Sequence, residues 1–282
     1  MNQKKNCEMQ IVNGTLTQLG EAEDVLFPRS MENISEEIFE EFFFHRHIRS
    51  IAVEDDNPCY FAAGNCLIDR RSGELVLGCI NSVIPSDGSV TAIGTAAFDG
   101  VPLKEIDIPD SVVSLGCGAF ANTELCRISL PKNLQHIGSF AFMGTELTEV
   151  TLPAAVKKVE WGAFRGCRLE RISVDKENPY YSDEGNCLSE RRTHTLLFCA
   201  AGGELPADTL TVERLALAER GGSSITIPAG VQKIRRTRVR GEYAPLMVDF
   251  PGEAGDIITF RVTSGSYAHR FAKRNHIPCE LM

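Results

Sequence analysis

A repeat of 22 residues constrains the fold of this chain more than any other feature of its sequence. Four phenylalanines at that spacing, each preceded by alanine, mark the repeat: Phe98, Phe120, Phe142 and Phe164. Self-similarity at a short fixed period indicates a solenoid, in which each repeat contacts only its neighbours. Because one repeat of this size cannot bury its own apolar face, the repeats must fold together as a stacked array.

Each repeat also contains a short stretch in which apolar residues alternate with polar ones. The first copy has Leu103 followed by Ile106 and Ile108, and Pro109 comes directly after them. Alternation predicts a short strand with one buried face, and proline ends the strand because it has no N–H to donate to the ladder. The same leucine opens the later copies, at Leu125, Leu147 and Leu169.

These positions predict the geometry of one coil. We expect parallel strands at about 104–108, 126–130, 148–152 and 170–174, with the four phenylalanines in one buried column. Gly116 and Gly138 permit tight bends after the second apolar stretch of their repeats. The Ala-Phe pair then predicts a helical or 3₁₀ corner, so the fold class expected is an α/β repeat wound as a right-handed solenoid.

A second repetition is superimposed on the first at a distance of 121 residues. Asn57-Pro58 recurs as Asn178-Pro179, and Gly64-Asn65-Cys66-Leu67 recurs as Gly185-Asn186-Cys187-Leu188. In both copies an apolar strand, a polar turn and a returning apolar strand follow. The pattern predicts two hairpin insertions, at about 54–83 and 175–204.

Weaker copies of the repeat lie at both ends of the chain. Val25, Phe27 and Phe39 have the offsets of Ile106, Ile108 and Phe120, so we expect residues 1–11 to be an N-terminal tail and residues 12–282 a single solenoid domain. Residues 242–282 are expected to form a C-terminal cap. Within it, apolar residues on one face predict a short helix from Ser264 to His276 that covers the open end of the core.

Together these motifs resemble the BspA-like bacterial leucine-rich-repeat family over roughly residues 12–282. The resemblance lies in the unit L-x-x-I-x-I-P-x-x-V-x-x-I-G-x-x-A-F, in the Asn-Pro-x-Tyr and Gly-Asn-Cys-Leu motifs, and in the closing Gly-Ser-Tyr-Ala segment. It implies a leucine-rich-repeat fold and a role in adhesion or in binding host or partner proteins. It also implies a cell-surface or secreted protein.

Charge and hydropathy restrict the partners and the compartment. Lys and Arg number 29 against 38 Asp and Glu, a formal net charge of −9, so nucleic-acid binding is not expected. No window approaches the ~20 apolar residues needed to span a bilayer, which excludes membrane insertion. No signal peptide is recognisable at the N-terminus, so the sequence predicts a cytoplasmic protein, with the surface or secreted location implied by the resemblance as the alternative.

The ten cysteines predict neither a zinc site nor a disulfide framework. They include no C-x-x-C pair and no Cys-His grouping with zinc spacing. In a reducing compartment we expect most of them to be small buried hydrophobes. We therefore predict that no disulfide is obligatory for the fold.

The sequence contains no familiar catalytic signature, so we expect no enzyme and no cofactor. The G-x-S-x-G, P-loop, H-E-x-x-H and G-x-G-x-x-G motifs are all missing. His45 and His47 could share one face of a strand, but the sequence places no third ligand near them, so no metal is predicted.

Binding is then expected on the outward-facing residues of the predicted strands. These candidate residues are Glu105, Asp107, Arg127, Ser129, Glu149, Thr151, Arg171 and Ser173. The first column alternates Glu, Arg, Glu, Arg, with strands ~4.8 Å apart. An alternating column of charges is expected either on a ligand-binding surface or on a surface whose charges simply neutralise one another.

The tips of the two predicted hairpins are the second candidate, with Arg70, Arg71, Arg191, Arg192 and His194. On either surface the expected function is a non-catalytic module that binds a protein or a glycan. The alternative is a structural or self-assembling repeat without a specific ligand. The sequence does not indicate an oligomeric state.

Overall fold

The computed structural model describes residues 9–20, 22–35, 38, 47–217, 224–235 and 259–282. Within these ranges the chain is a solenoid built mostly of short strands, with one complete α-helix, α1 (Tyr267–Arg274). The strands are β1 (Gln10–Val12), β2 (Thr15–Gln18), β3 (Asp24–Phe27), β4 (Asn33–Ile34), β5 (Ser50–Val53), β6 (Tyr60–Ala63), β7 (Cys66–Asp69), β8 (Glu74–Leu77), β9 (Ala92–Ile93), β10 (Ser114–Leu115), β11 (His136–Ile137), β12 (Glu149–Leu152), β13 (Lys158–Val159), β14 (Arg171–Val174), β15 (Tyr181–Ser182), β16 (Cys187–Glu190), β17 (Thr195–Cys199), β18 (Thr211–Val212), β19 (Ser224–Ile227), β20 (Lys233–Ile234), β21 (Thr259–Val262) and β22 (Cys279–Leu281).

Strands on two sides of the coil pair in parallel with strands of the neighbouring coils. On the predicted strand side, β12 and β14 pair with Glu149 opposite Arg171 and Leu152 opposite Val174. On the other side, the two-residue strands β9, β10, β11 and β13 form a continuous parallel ladder. The sequence analysis did not predict this second ladder, because two residues are too few to show an alternating pattern.

Two of the four predicted strands are not regular strands. A backbone hydrogen bond of 3.2 Å joins Cys126 to Lys104, but residues 104–108 and 126–130 lack the hydrogen-bond pattern of a ladder. The inward-facing Ile106 and Ile128 are only half buried, whereas Val150 and Ile172 in the regular pair are buried. Packing of the inward face draws neighbouring strands together, and it is weaker in these two coils.

The predicted column of phenylalanines is confirmed. Phe98, Phe120, Phe142 and Phe164 are at most 1% exposed, and consecutive rings stack with centroids 5.2, 5.7 and 5.6 Å apart and planes within 5° of parallel. The stack runs through the largest core cluster and joins four coils. Large-to-small changes at such buried rings typically cost about 3–5 kcal/mol.

The corner that carries each phenylalanine is a turn, so the predicted helical or 3₁₀ corner is wrong. The N–H of Phe98 donates to the carbonyl of Ala119 in the next coil at 2.9 Å, and the N–H of Phe120 donates in the same way to Ala141 at 2.8 Å. A helix would direct these N–H groups to carbonyls three or four residues earlier in the same coil. The described residues therefore form a strand-and-turn solenoid, and the α/β label is too helical.

Two stretches of antiparallel strands interrupt the parallel stacking at equivalent places. We name residues 57–84 the first unit and residues 178–205 the second unit. In the first unit β6, β7 and β8 are antiparallel neighbours, and β8 then pairs in parallel with β9. In the second unit β15, β16 and β17 have the same arrangement, and β17 pairs in parallel with β18.

A buried asparagine attaches each unit to the coil before it. The Asn57 amide donates to the carbonyls of Pro28 and Met31 at 2.9 and 3.0 Å, and its oxygen accepts from the N–H of Tyr60 at 2.8 Å. Asn178 makes the equivalent bonds to the carbonyls of Pro153 and Val156 at 2.9 and 3.0 Å. These bonds give a physical reason for the recurring Asn-Pro motif.

The C-terminal region packs around a separate apolar cluster. Strand β21 pairs in parallel with both β19 and β22, and Ala268 and Ala272 of α1 are buried in this cluster. The Ser266 hydroxyl caps the helix by accepting from the N–H of His269 at 3.1 Å. Of the predicted C-terminal segment, residues 242–258 lie outside the described residues.

At the N-terminus, β1 begins at Gln10, inside the segment predicted to be a tail. It forms an antiparallel pair with β2 across a turn in which Asn13 and Gly14 have positive φ. The predicted position of Phe39 lies outside the described residues. Val25 and Phe27 are buried as their offsets predict.

The cysteines divide into buried, exposed and paired ones. Cys66, Cys79 and Cys167 are buried, as predicted, whereas Cys117 and Cys126 are exposed. Cys187 and Cys199, which face each other across β16 and β17, are joined by a disulfide. The sequence analysis did not predict this bond, because strand register decides which cysteines meet.

Candidate binding surfaces

The outward-facing residues of the predicted strands form a polar surface that we call the strand face. Seven of the eight predicted residues are exposed and Ser173 is half buried: Glu105, Asp107, Arg127, Ser129, Glu149, Thr151, Arg171 and Ser173. Arg171 lies directly opposite Glu149 and Ser173 opposite Thr151 in the ladder between β12 and β14. The structure thus aligns these residues in neighbouring coils.

Ion pairs connect neighbouring coils along this side of the solenoid. Arg127 approaches Glu105 to 2.5 Å, although both side chains are at least 70% exposed. Lys132 and Asp110 are 2.8 Å apart, and the Lys132 ammonium lowers the pKa of the Asp110 carboxyl. Because water screens exposed pairs strongly, these bonds orient side chains more than they stabilise the fold.

The predicted tip residues have different environments in the two units. Arg70 is tied to its own unit: its Nε donates to the carbonyls of Asn57 and Tyr60 at 3.0 Å, and its guanidinium lies 5.0 Å from the centroid of the Phe61 ring. Arg71 is exposed at the turn. Arg70 is exposed as well, so both residues of the first pair reach solvent, although hydrogen bonds hold the Arg70 side chain against its own unit.

In the second unit, Arg191 and His194 lie together in the wall of a cavity of about 200 Å³. His194 Nδ1 is 2.6 Å from a carboxylate oxygen of Asp208, in the coil that follows. Arg192 is exposed. The predicted basic tip is therefore partly the rim of a polar cavity.

A polar cluster on the opposite ladder was not predicted. Glu160 accepts from the Lys158 ammonium at 2.7 Å and from the Ser139 hydroxyl at 2.7 Å, and it lies 3.2 Å from His136. Lys158 and Ser139 are the largest causes that lower the pKa of Glu160 to about 2. The spacing of 22 residues from His136 to Lys158 is the signal that could have revealed it.

Neither a metal centre nor a membrane-spanning helix is found in the part of the chain that the structure describes. No three His, Cys, Asp or Glu side chains are grouped there so as to hold a metal ion. No helix in the described ranges is both long and apolar enough to cross a bilayer. His45 lies outside those ranges, so the His45 and His47 pair cannot be placed.

The model of the BspA type leucine rich repeat region matches residues 78–184 in six copies. These residues are therefore BspA-type leucine-rich repeats, and the predicted resemblance is confirmed for this segment, which is shorter than the predicted span of 12–282. None of the curated proteins matches the sequence.

Similar solved structures include two bacterial proteins. The pneumococcal vaccine antigen PcpA is 18% identical over 92% of this chain, with a TM-score of 0.50. A leucine-rich repeat protein from Eubacterium ventriosum is 17% identical over 89% of this chain, with a TM-score of 0.49. The chain spans 56% of the length of the first protein and 62% of the second. At 18% identity the likeness to PcpA shows the fold alone.

Proposed function

We propose that the protein is a non-catalytic module that binds a protein or glycan partner through the strand face. The observation that carries this proposal is the buried phenylalanine stack, which joins the coils that carry these exposed side chains. A rigid core fixes the positions of surface residues before any partner arrives, so little conformational entropy is lost on binding. The leucine-rich-repeat scaffold, which generally mediates binding or adhesion, supports the same proposal.

Two further features are part of the proposal. The first and second units are hairpin insertions that project from the coil and offer Arg71 and Arg192 as an additional contact. Helix α1 caps the C-terminal end of the core, which is supported by its two buried alanines. Location stays a prediction, cytoplasmic from the sequence, with the cell surface as the alternative.

A structural repeat without a specific ligand is the second candidate. It is favoured by the ion pair between Glu105 and Arg127, since side chains that satisfy each other's charge need no partner. Both candidates predict a protein without turnover, and they differ only in whether the strand face is recognised.

Charge reversal on the strand face separates the two candidates. A partner is first identified by affinity capture from bacterial surface and host-matrix extracts and then purified. The double variant Arg127→Glu, Arg171→Glu turns the alternating column into four carboxylates, and we expect it to weaken binding of the purified partner at least tenfold. The matched control is Lys157→Glu with Lys176→Glu, which changes the net charge equally outside the strand face. Equal binding by the double variant and the control would show that the strand face does not bind the partner, and failure to capture any partner would favour the structural repeat.

A further inference from the structure

The second unit contains a polar cavity that the function proposed above does not use. It lies between the strands β15 and β16 and the segment that leads to β18, with a volume of about 200 Å³. Its wall is formed by Ser182, Glu184, Ser189, Glu190, Arg191, His194, Asp208 and Thr209.

The first unit explains why this cavity exists. There Phe61 and Ile68 face each other across β6 and β7, and Arg70 covers the Phe61 ring. At the equivalent positions of the second unit, 121 residues later, Ser182 faces Ser189. Two large apolar side chains are thus replaced by two small hydroxyls. The space that the first unit fills with its own side chains stays open in the second.

Ser189 indicates that a polar group belongs in this space. The residue is only 7% exposed, and its hydroxyl has no hydrogen-bond partner among the residues that the structure describes. Buried polar atoms almost always have a partner, and a buried hydroxyl without one is unfavourable. The hydroxyl lies in the cavity wall, so a ligand in the cavity could supply the missing bond.

Charges of both signs in the wall restrict the ligand. Arg191 and His194 face the same space as the carboxylates of Glu184, Glu190 and Asp208. Asp208 is already bonded to His194, and Glu190 accepts from the Thr193 hydroxyl. The remaining two groups, Glu184 and Arg191, carry one charge of each sign, so this wall disfavours both a simple anion and a simple cation. It favours a neutral group with several hydroxyls, because hydroxyls donate to carboxylates and accept from a guanidinium.

The size and the rim of the cavity narrow the ligand to one sugar ring. Sites for drug-sized molecules usually measure roughly 300–1,000 Å³, so this cavity suits a single ring. Tyr180 is 42% exposed and lies beside this wall, because the N–H of Arg191 donates to the Tyr180 carbonyl at 2.8 Å. Its aromatic face is available to the apolar face of a sugar.

We propose that the cavity of the second unit binds one neutral sugar ring, either a free monosaccharide or the terminal residue of a glycan. Ser189, Glu184 and Arg191 bond its hydroxyls, and Tyr180 packs against the ring. This inference goes beyond the proposed function, because the cavity is formed by residues outside the strand face.

The test measures binding of defined sugars by saturation-transfer NMR and calorimetry. The panel holds glucose, galactose, mannose and N-acetylglucosamine, each also as its methyl glycoside, with glucosamine, glucuronate and inorganic phosphate as charged probes. We expect at least one neutral sugar to bind with a dissociation constant on the order of 1 mM, as suits a small polar ligand. Equal binding of the methyl glycoside identifies a terminal glycan residue, and its exclusion identifies a free monosaccharide. Binding of charged probes alone, or of none, overturns the proposal.

Variants tie the binding to the cavity. Ser182→Phe with Ser189→Ile transplants the side chains of the first unit and should weaken sugar binding at least tenfold. Ser86→Phe, at an exposed serine outside both the cavity and the strand face, is the matched control and should bind as the parent does. If the double variant does not fold in a thermal melt, Glu184→Gln, which keeps the shape of the side chain, should weaken binding several-fold. Undiminished binding by whichever cavity variant folds contradicts the proposal.

The strand-face variant Arg127→Glu, Arg171→Glu keeps the two proposals apart. It should lose the macromolecular partner and bind the sugar as the parent does. Loss of the partner without any sugar binding removes only the cavity proposal, whereas sugar binding without any strand-face effect removes only the proposed function.

Discussion

The first and second units have the same backbone but different interiors. Both begin with a buried asparagine, Asn57 or Asn178, that is hydrogen-bonded to the preceding coil, and both contain three antiparallel strands. The first unit is filled by Phe61 and Ile68, whereas the second contains Ser182, Ser189 and a cavity. The shared asparagine therefore specifies the backbone, and the interior is free to differ.

The cysteines differ in the same way. In the first unit Cys66 and Cys79 are free and buried, and the Ser82 hydroxyl donates to the carbonyl of Asn65 at 2.6 Å. In the second unit Cys199 occupies the position of Gly78 and is bonded to Cys187. The second unit thus has a cysteine side chain at the end of β17, whereas the first unit has a glycine, without a side chain, directly after β8.

The largest expected effect is that of Gly78→Ala. A Cβ atom at this position would lie 2.0 Å from Cε1 of Phe98, whose ring is held in the buried stack. We expect the variant to lose about 3 kcal/mol of unfolding free energy in a urea titration, because the ring can move only by disturbing the stack. Gly230→Ala is the control, since a Cβ atom there meets no atom within 4 Å. Equal losses of unfolding free energy in both variants would show that the Phe98 ring can move aside without disturbing the stack.

Reduction of the second unit should have the next largest effect. The disulfide closes a loop between residues 12 positions apart, and a short loop of this kind contributes about 2–3 kcal/mol. We expect a reductant to lower the urea midpoint of the parent and to leave that of the variant Cys187→Ala, Cys199→Ala unchanged. The protein should stay folded in both cases, because the strand ladder and Asn178 hold the unit. Unfolding of the reduced parent would instead make the disulfide obligatory.

Opening the first unit should cost about as much as breaking the disulfide, or slightly less. Phe61 is half buried and packs on the core, so Phe61→Ser should destabilise the protein by about 2 kcal/mol, roughly half the cost at a fully buried phenylalanine. Phe61→Leu, which keeps most of the apolar volume, should lose clearly less in the same titration. A loss as large in the leucine variant would mean that shape and not burial matters at this site.

The smallest effect concerns Glu74, which the second unit replaces with Thr195. Burial is the largest cause that raises the pKa of Glu74 above its ordinary value of 4.5, followed by repulsion from Asp69. A raised pKa in the folded state gives stability that is present below the ordinary pKa and lost as the pH rises through the folded value. Glu74→Thr should therefore gain stability relative to the parent at pH 7 and lose that gain at pH 4. A difference that does not change with pH would contradict the role of burial.

The sequence predicts the coil better than it predicts what connects neighbouring coils. The phenylalanine column and the pairing of β12 with β14 follow from the positions of Phe120, Val150 and Ile172, because large apolar side chains at a fixed period have to meet. The short ladder of β9, β10, β11 and β13 was missed, since two residues give no periodic signal. The corner was predicted as helical because a local pattern does not show which coil accepts the Phe98 N–H.

A comparison of the sequences of the first and second units would have predicted the cavity. The offset of 121 residues aligns Phe61 with Ser182 and Ile68 with Ser189, and a change from large apolar to small polar residues inside a repeated unit indicates a hole. The disulfide was less accessible to this reasoning. Cys187 and Cys199 meet only through the register between β16 and β17, in which a bulge follows Leu188.

The hydrogen bonds that attach Asn57 and Asn178 to the preceding coil bear on how units of this kind can be placed in a solenoid. Toward the preceding coil, the amides of Asn57 and Asn178 donate to main-chain carbonyls, those of Pro28 and Met31 in one case and those of Pro153 and Val156 in the other. Every coil has such carbonyls whatever its sequence, so these hydrogen bonds do not depend on particular side chains of the host. The same attachment can therefore serve behind coils of different sequence, which leaves the interior of the unit free to be packed in one copy and open in another.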